Sequence, residues 1–166
     1  MRARSAVVAV AVIAALVGTS CGKVVEKATE KAIENSSGAD NVDISKDGVK
    51  IESKDGTFEA GATTEMPKDL PKAPMFENAS LKSSTKMSDS SSTTWLLAGT
   101  VKDAKAAYQN LVKALKADGW ELSTEMETSN PDYSGIGMAT KGNLELNFGT
   151  TGGSEKSFYY WMSQSK

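Results

Sequence analysis

The sequence contains no histidine, and its only arginines are Arg2 and Arg4. Without histidine there is no imidazole general base, no Ser-His-Asp or Cys-His catalysis and no histidine ligand for a metal. Without further arginine there is no bidentate clamp for phosphate or carboxylate groups. These two absences exclude a large part of enzyme chemistry.

The chain also has no excess of positive charge, because its 166 residues carry a formal net charge of −2 at pH 7. An acidic chain without a basic cluster is not expected to bind nucleic acid. Residues 149–157 lack the Gly-Lys step of a phosphate loop, and residues 43–54 begin like a calcium loop but place Lys54 where glutamate is needed. We therefore expect neither a metal nor a cofactor.

Cysteine occurs once, as Cys21, which excludes an intramolecular disulfide. It follows a positively charged start and an apolar run over residues 6–17, with small residues at 18–20 between the run and the cysteine. The run is too short for a spanning helix, which needs about 20 apolar residues, and its length is typical of a signal-peptide core. Residues 1–20 are therefore predicted to be a signal peptide.

The sequence Val17-Gly18-Thr19-Ser20-Cys21-Gly22 resembles the lipobox of bacterial lipoproteins. In that family the cysteine thiol receives diacylglycerol, and cleavage then makes the cysteine the N-terminus. The resemblance implies an acylated Cys21, palmitate being a usual chain, and a protein anchored on the outer face of the cell membrane. Gly18 departs from the family pattern, which usually has leucine there, and leaves open a conventional cleavage with a free thiol.

Four segments are predicted after the signal. Residues 21–40 comprise the anchor and a short amphipathic helix at 23–34, which apolar residues recurring on one helical face indicate. Residues 41–60 alternate with period two around two Asp-Gly steps and predict a three-stranded meander. Residues 61–74 contain three of the four prolines and predict an extended linker.

The fourth segment, residues 75–166, is predicted to be an α+β domain. Its helix covers residues 103–118, with Asp103 as the N-terminal cap and Gly119 as the left-handed exit. Two strands precede the helix and four follow it. The predicted fold class is therefore α+β, an antiparallel sheet with one packed helix in ββαββββ order, preceded by the short helix and the meander.

The layout of residues 75–166, with its helix–Gly–Trp–strand step, resembles the small α+β domains of bacterial lipoproteins of unknown function. The helix-grip domains of outer-membrane assembly lipoproteins are similar in order. The resemblance implies a fold alone, since it rests on pattern and no functional residue is carried over.

The aromatic run at residues 158–161 supplies the one candidate binding site. Strand alternation sends Phe158 and Tyr160 to one face of the sheet and Tyr159 and Trp161 to the other. If the helix covers the first face, Tyr159 and Trp161 form an exposed patch for a glycan, a lipid or a protein. The alternatives are that residues 23–60 fold back over this patch or that the strand is buried on both sides.

Three glutamates on one strand, Glu121, Glu125 and Glu127, are the candidates for acid–base catalysis, although such a set is more often a solvated strand face. We therefore expect a membrane-anchored, non-enzymatic interaction or ligand-binding module with an envelope protein or glycan as partner. The alternatives are an envelope hydrolase that uses carboxylates and a passive spacer lipoprotein.

Overall fold

The computed structural model describes residues 30, 31, 33, 34, 38–45 and 48–166. Residues 30, 31, 33 and 34 are helical and precede the first strand. The regular elements after them are β1 (Asn41–Ser45), β2 (Gly48–Ser53), β3 (Gly56–Ala62), β4 (Ser80–Asp89), β5 (Ser92–Thr100), α1 (Ala104–Ala117), β6 (Glu121–Thr128), β7 (Ser134–Lys141), β8 (Leu144–Thr151) and β9 (Ser157–Ser165).

The predicted fold class, α+β in ββαββββ order, is wrong. Of the described residues, 53% are in strands and 14% are helical, and the elements run as five strands, α1 and four strands. The prediction treated the meander as separate from the later strands. In the structure β3 pairs with β4 along its whole length, from Gly56 opposite Asp89 to Ala62 opposite Ser83. This pairing satisfies the backbone groups at the facing edges of β3 and β4. It joins the nine described strands into one antiparallel sheet.

The strand order in the sheet is β1-β2-β3-β4-β5-β9-β8-β7-β6. The first five strands pair in chain order, with short turns except between β3 and β4, which residues 63–79 connect. The chain then crosses through α1 to β6 at the far edge and returns strand by strand, so that β9 fills the gap between β5 and β8. We call the face of the sheet that α1 contacts the inner face and the opposite face the outer face.

The predicted helix is confirmed, including both of its ends. The carboxylate of Asp103 accepts a hydrogen bond of 2.9 Å from the amide of Ala106 and so caps the N-terminus. At the C-terminus Gly119 has φ 78°, and the amide of Trp120 donates to the carbonyl of Leu115 at 3.0 Å. This is a Schellman closure, and it turns the chain so that Trp120 enters the core.

The hydrophobic core lies on the inner face, between α1 and the strands from β5 to β9. The hydroxyl of Tyr108 on α1 donates to the carbonyl of Ile136 at 2.8 Å, and the hydroxyl of Thr150 donates to the carbonyl of Ala104 at 2.8 Å. Both bonds tie α1 to the sheet. The chain before β4 closes the core, because Phe76 packs against the rings of Phe148, Phe158 and Tyr160.

Strand β6 contains a bulge between Leu122 and Thr124. The extra residue shifts the alternation, since one inserted residue exchanges the two faces of a strand. Leu122 therefore packs against the core, whereas Met126 lies on the outer face and is 60% exposed. Residues 120–126 therefore do not alternate regularly between the two faces of the sheet.

Candidate functional site: the apolar face of the sheet

The strand register places three parallel rows of side chains on the outer face. The middle row consists of Ile44, Val49, Ala60, Thr85, Leu96, Trp161, Asn147, Met138 and Thr124. The flanking rows consist of Val42, Ile51, Phe58, Met87, Thr94, Ser163, Glu145, Thr140 and Glu121, and of Ala62, Ser83, Ala98, Tyr159, Gly149, Ile136 and Met126. We call these three rows the apolar face.

The apolar face carries little charge and several large exposed hydrophobic side chains. Its only ionisable carboxylates belong to Glu145 and Glu121, both in one flanking row near the β6 edge, and no lysine falls in the three rows. Leu96, Met87, Ile136 and Met126 are exposed to 39%, 42%, 44% and 60%. Large exposed apolar patches on otherwise soluble domains commonly mark binding sites.

Tyr159 and Trp161 both lie near the centre of the apolar face, and both are half-buried. Trp161 stands between Leu96 and Asn147 in the middle row. The ring of Tyr159 lies over Gly149, where an added Cβ would come within 2.5 Å of Cε1 of the ring. Burial raises the pKa of the Tyr159 phenol, which keeps it neutral. The predicted alternation along this strand is confirmed, because Phe158 and Tyr160 are buried on the inner face.

The alternative in which residues 23–60 cover Tyr159 and Trp161 is wrong for residues 41–60. These residues extend the same sheet as β1 to β3, and they add Val49 and Phe58 to the apolar face instead of covering it. Residues 23–29 lie outside the described part of the chain. The described meander therefore enlarges the patch around Tyr159 and Trp161.

Sequence reasoning missed the part of the apolar face that β7 provides. Ile136 and Met138 alternate there with Gly135 and Gly137, whose inner positions admit no larger side chain: a Cβ on Gly137 would lie 2.2 Å from Cζ of Phe148. The Gly-Ile-Gly-Met sequence was a usable signal, because glycine alternating with large apolar residues indicates close packing on one face and an open second face.

Asn147 places a polar group within the middle row, between Trp161 and Met138. Among the buried side-chain nitrogen and oxygen atoms of the described residues, its Nδ2 is the one without a hydrogen-bond partner. A buried donor without a partner costs about 1–3 kcal/mol. The unpaired amide therefore disfavours the folded state at this point of the sheet and is not accessible from the surface.

A concave feature, which we call the polar groove, lies on the inner face of β1 to β4 beneath residues 63–69 and has a volume of about 630 Å³. Nζ of Lys86 lies 2.6 Å from Oδ2 of Asp69, and Nζ of Lys50 lies 2.7 Å from Oε1 of Glu52 and 3.8 Å from Glu59. Burial raises the pKa of Asp69, but the hydrogen bond and charge of Lys86 outweigh it and lower the pKa. Carboxylates paired in this way stay ionised and are poor proton donors.

The three glutamates considered for catalysis do not share a site. Glu121 belongs to the apolar face, whereas the bulge turns Glu125 and Glu127 toward α1. There Glu125 pairs with Lys116 at 2.8 Å, and Glu127 accepts hydrogen bonds of 3.1 Å from Gln109 and from Tyr133. Within the described residues no group of three or more cysteine or acidic side chains is placed to hold a metal ion.

Cys21, the predicted lipidation site, lies outside the described residues. In residues 30–166, as far as they are described, no helix is long and apolar enough to cross a membrane. Comparison of the chain with protein-family models, with curated proteins and with solved structures gave no match.

Proposed function

We propose that the protein is a lipid-anchored module on the outer face of the cell membrane that binds a partner, without catalysis, through the apolar face of its sheet. The acyl chains on Cys21 would hold the protein at the membrane, and Tyr159 and Trp161 would lie at the centre of the contact. The observation that carries the proposal is the width of the apolar face, whose rows cross all nine described strands and whose one large side chain already buried is Val42 at the β1 edge.

Two features of the described residues support binding over catalysis. The exposed Leu96 and Ile136 are the kind of side chains that gain free energy when a partner removes them from water, at about 25 cal/mol per Å². In the polar groove the carboxylates of Asp69 and Glu59 are paired with lysines, and those of Asp43 and Glu65 are exposed to solvent. A hydrolase would need a carboxylate whose surroundings favour its protonated form, and a passive spacer would need no apolar face.

The anchoring is tested by metabolic labelling with a fatty-acid analogue. We expect the full-length protein to be labelled and the Cys21→Ala variant to be unlabelled, because the thiol is the acceptor. Equal labelling of the two proteins would contradict anchoring through Cys21. The variant should also leave the membrane fraction, which separates loss of the lipid from loss of expression.

The binding is tested with a photo-reactive phenylalanine analogue that replaces Trp161 in the full-length protein on intact membranes. A matched control carries the analogue in place of Lys113, which is exposed on α1 on the other side of the sheet. We expect discrete cross-linked products from position 161 and none from position 113. Absence of products from position 161, or the same products from both positions, would contradict binding through the apolar face.

A further inference from the structure

We infer that the partner on the apolar face is a second copy of this chain, so that two sheets pack face to face in a symmetric dimer. The inference rests on the proposed function, because it identifies the occupant of the same surface. In such packing, two sheets lie about 10 Å apart, and the side chains of the facing rows interdigitate. Each copy would present the same rows, as a two-fold interface requires.

The apolar face has the area that such a dimer needs. At about 4.8 Å per strand, nine strands span roughly 40 Å, and three rows of side chains cover about 20 Å along the strands. This gives on the order of 800 Å² for each copy, which is about one side of a standard protein interface. A small ligand would leave most of this surface in contact with water.

The distribution of charge favours a second sheet over a lipid surface as the partner. Membrane surfaces rich in anionic lipid attract lysine and arginine, but the apolar face has no lysine and carries Glu145. Two apolar faces can meet without burying a charge at their centre, because Leu96, Trp161 and their neighbours are uncharged. The lysines and their carboxylate partners, such as Lys50 and Glu52, lie on the inner face.

Both edges of the sheet are protected, which leaves its face as the route of association. At β1 the carboxylates of Glu34 and Glu30 accept hydrogen bonds from the amides of Val42 and Ile44 at 3.2 and 3.0 Å. These bonds occupy edge groups that another strand would otherwise pair with. At the other edge, β6 carries a bulge at Ser123 and several glutamates, features that discourage edge-to-edge pairing.

Leu96 is the residue that a symmetric dimer brings against its own copy. It lies in the middle row and on β5, the fifth of the nine strands. When one face is centred on the other, the two-fold axis passes through the middle of the contact. The two Leu96 side chains then approach each other, so this position reports on a second copy and on no other partner.

The first test introduces a cysteine into the full-length protein on intact membranes, followed by mild oxidation. We expect Leu96→Cys to give a disulfide-linked product of twice the chain mass. Lys105→Cys, exposed on α1, is the matched control, and the unsubstituted chain reports any bridge formed through Cys21. Both controls should stay monomeric after oxidation. If Leu96→Cys gives no more disulfide-linked dimer than the two controls, the inference is overturned.

The second test measures the mass of the detergent-solubilised full-length protein by sedimentation. We expect a dimer for the unsubstituted chain and for Ala114→Lys, which adds the same charge on α1. Leu96→Lys should weaken the dimer about a hundredfold or more, because an unpaired ammonium would be buried. A monomer in the unsubstituted chain, or a dimer unaffected by Leu96→Lys, would overturn the inference. Cross-links from position 161 to a different protein or to lipid would overturn it and leave the proposed binding face intact.

Discussion

The N-terminal strands β1–β4 and the C-terminal strands β5–β9 share one sheet but differ on its inner face. One inner row makes the contrast visible, since it consists in order of Asp43, Lys50, Glu59, Lys86, Trp95, Met162, Leu146, Ala139 and Leu122. The four members in the N-terminal strands are charged. The five in the C-terminal strands are apolar and lie beneath α1 and its neighbours.

This contrast shows that a continuous sheet need not have a continuous core. The C-terminal strands bury their inner side chains, so that Leu97, Leu146 and Met162 are fully buried. Apart from Leu81 of β4, which joins the core, the N-terminal strands have their large apolar side chains on the outer face, where Phe58 is only half-buried. We therefore expect β1–β3 to open before the rest of the sheet, because few buried contacts hold them.

The largest effect should come from truncation beneath α1. Leu115→Ala removes a side chain with 0% exposure, and we expect it to destabilise the protein by about 2–5 kcal/mol. Phe58→Ala removes a larger but half-buried ring from the N-terminal strands, and we expect about 1–2 kcal/mol. Urea unfolding of both variants measures the difference. An equal loss for the two would refute the asymmetry between the halves.

A smaller effect is expected where the apolar face is tightest. In Gly149→Ala the added Cβ would meet the ring of Tyr159 at 2.5 Å, so the ring must move outward. We expect a loss of about 1–3 kcal/mol in thermal or urea unfolding, typical of overpacking. The ring displacement should also increase the exposure of Tyr159 in solvent-perturbation spectroscopy. An unchanged spectrum with unchanged stability would contradict the described packing.

The protected edge offers a more local test of the N-terminal half. Glu34→Ala removes the acceptor of the Val42 amide, and we expect that amide to exchange its hydrogen faster by an amount equal to about 1 kcal/mol. Lys31→Ala is the matched control, because Lys31 is exposed on the same helical turn. Faster hydrogen exchange in the Lys31→Ala control, or at amides of β8 and β9, would contradict a local role for the Glu34 hydrogen bond.

The smallest effect concerns pH at the turn that joins the two halves. The hydroxyl of Ser91 and the amides of Ser91 and Ser92 donate to Asp89 and lower its pKa to about 2. An unfolded aspartate titrates near 3.9. The depressed folded pKa therefore contributes stability that is present above about pH 4 and is lost as the pH falls toward 2. Asp89→Asn should flatten the dependence of Tm on pH in this window, and an unchanged slope would contradict the assignment.

The local structure followed from the sequence, whereas the pairing of distant strands did not. The helix was predictable because Asp103 and Gly119 mark its ends and apolar residues recur with its period. The Asp55-Gly56 step likewise predicted the turn between β2 and β3. The pairing of β3 with β4 depends on which free edges meet after the chain has crossed residues 63–79, and no local pattern records that choice.

The candidate site was predictable in its centre and not in its extent. Alternation along residues 158–161 was enough to put Tyr159 and Trp161 on the face opposite the helix. Met126 joined them only because the bulge at Ser123 shifted the register, and a bulge leaves no reliable trace in a single sequence. The breadth of the apolar face came from the long-range strand order, which alternation within one strand cannot reveal.

The position of β9 has a consequence for when the protein can fold. The strand that is ninth in the chain is sixth in the sheet, and it pairs with β5, whose partner residues lie 57 to 73 positions earlier. Until residues 157–165 are available, β5 and β8 have no common partner and the core beneath α1 lacks Phe158, Tyr160 and Met162. A chain that is synthesised from its N-terminus therefore stays incompletely folded until residues 157–165 have been made.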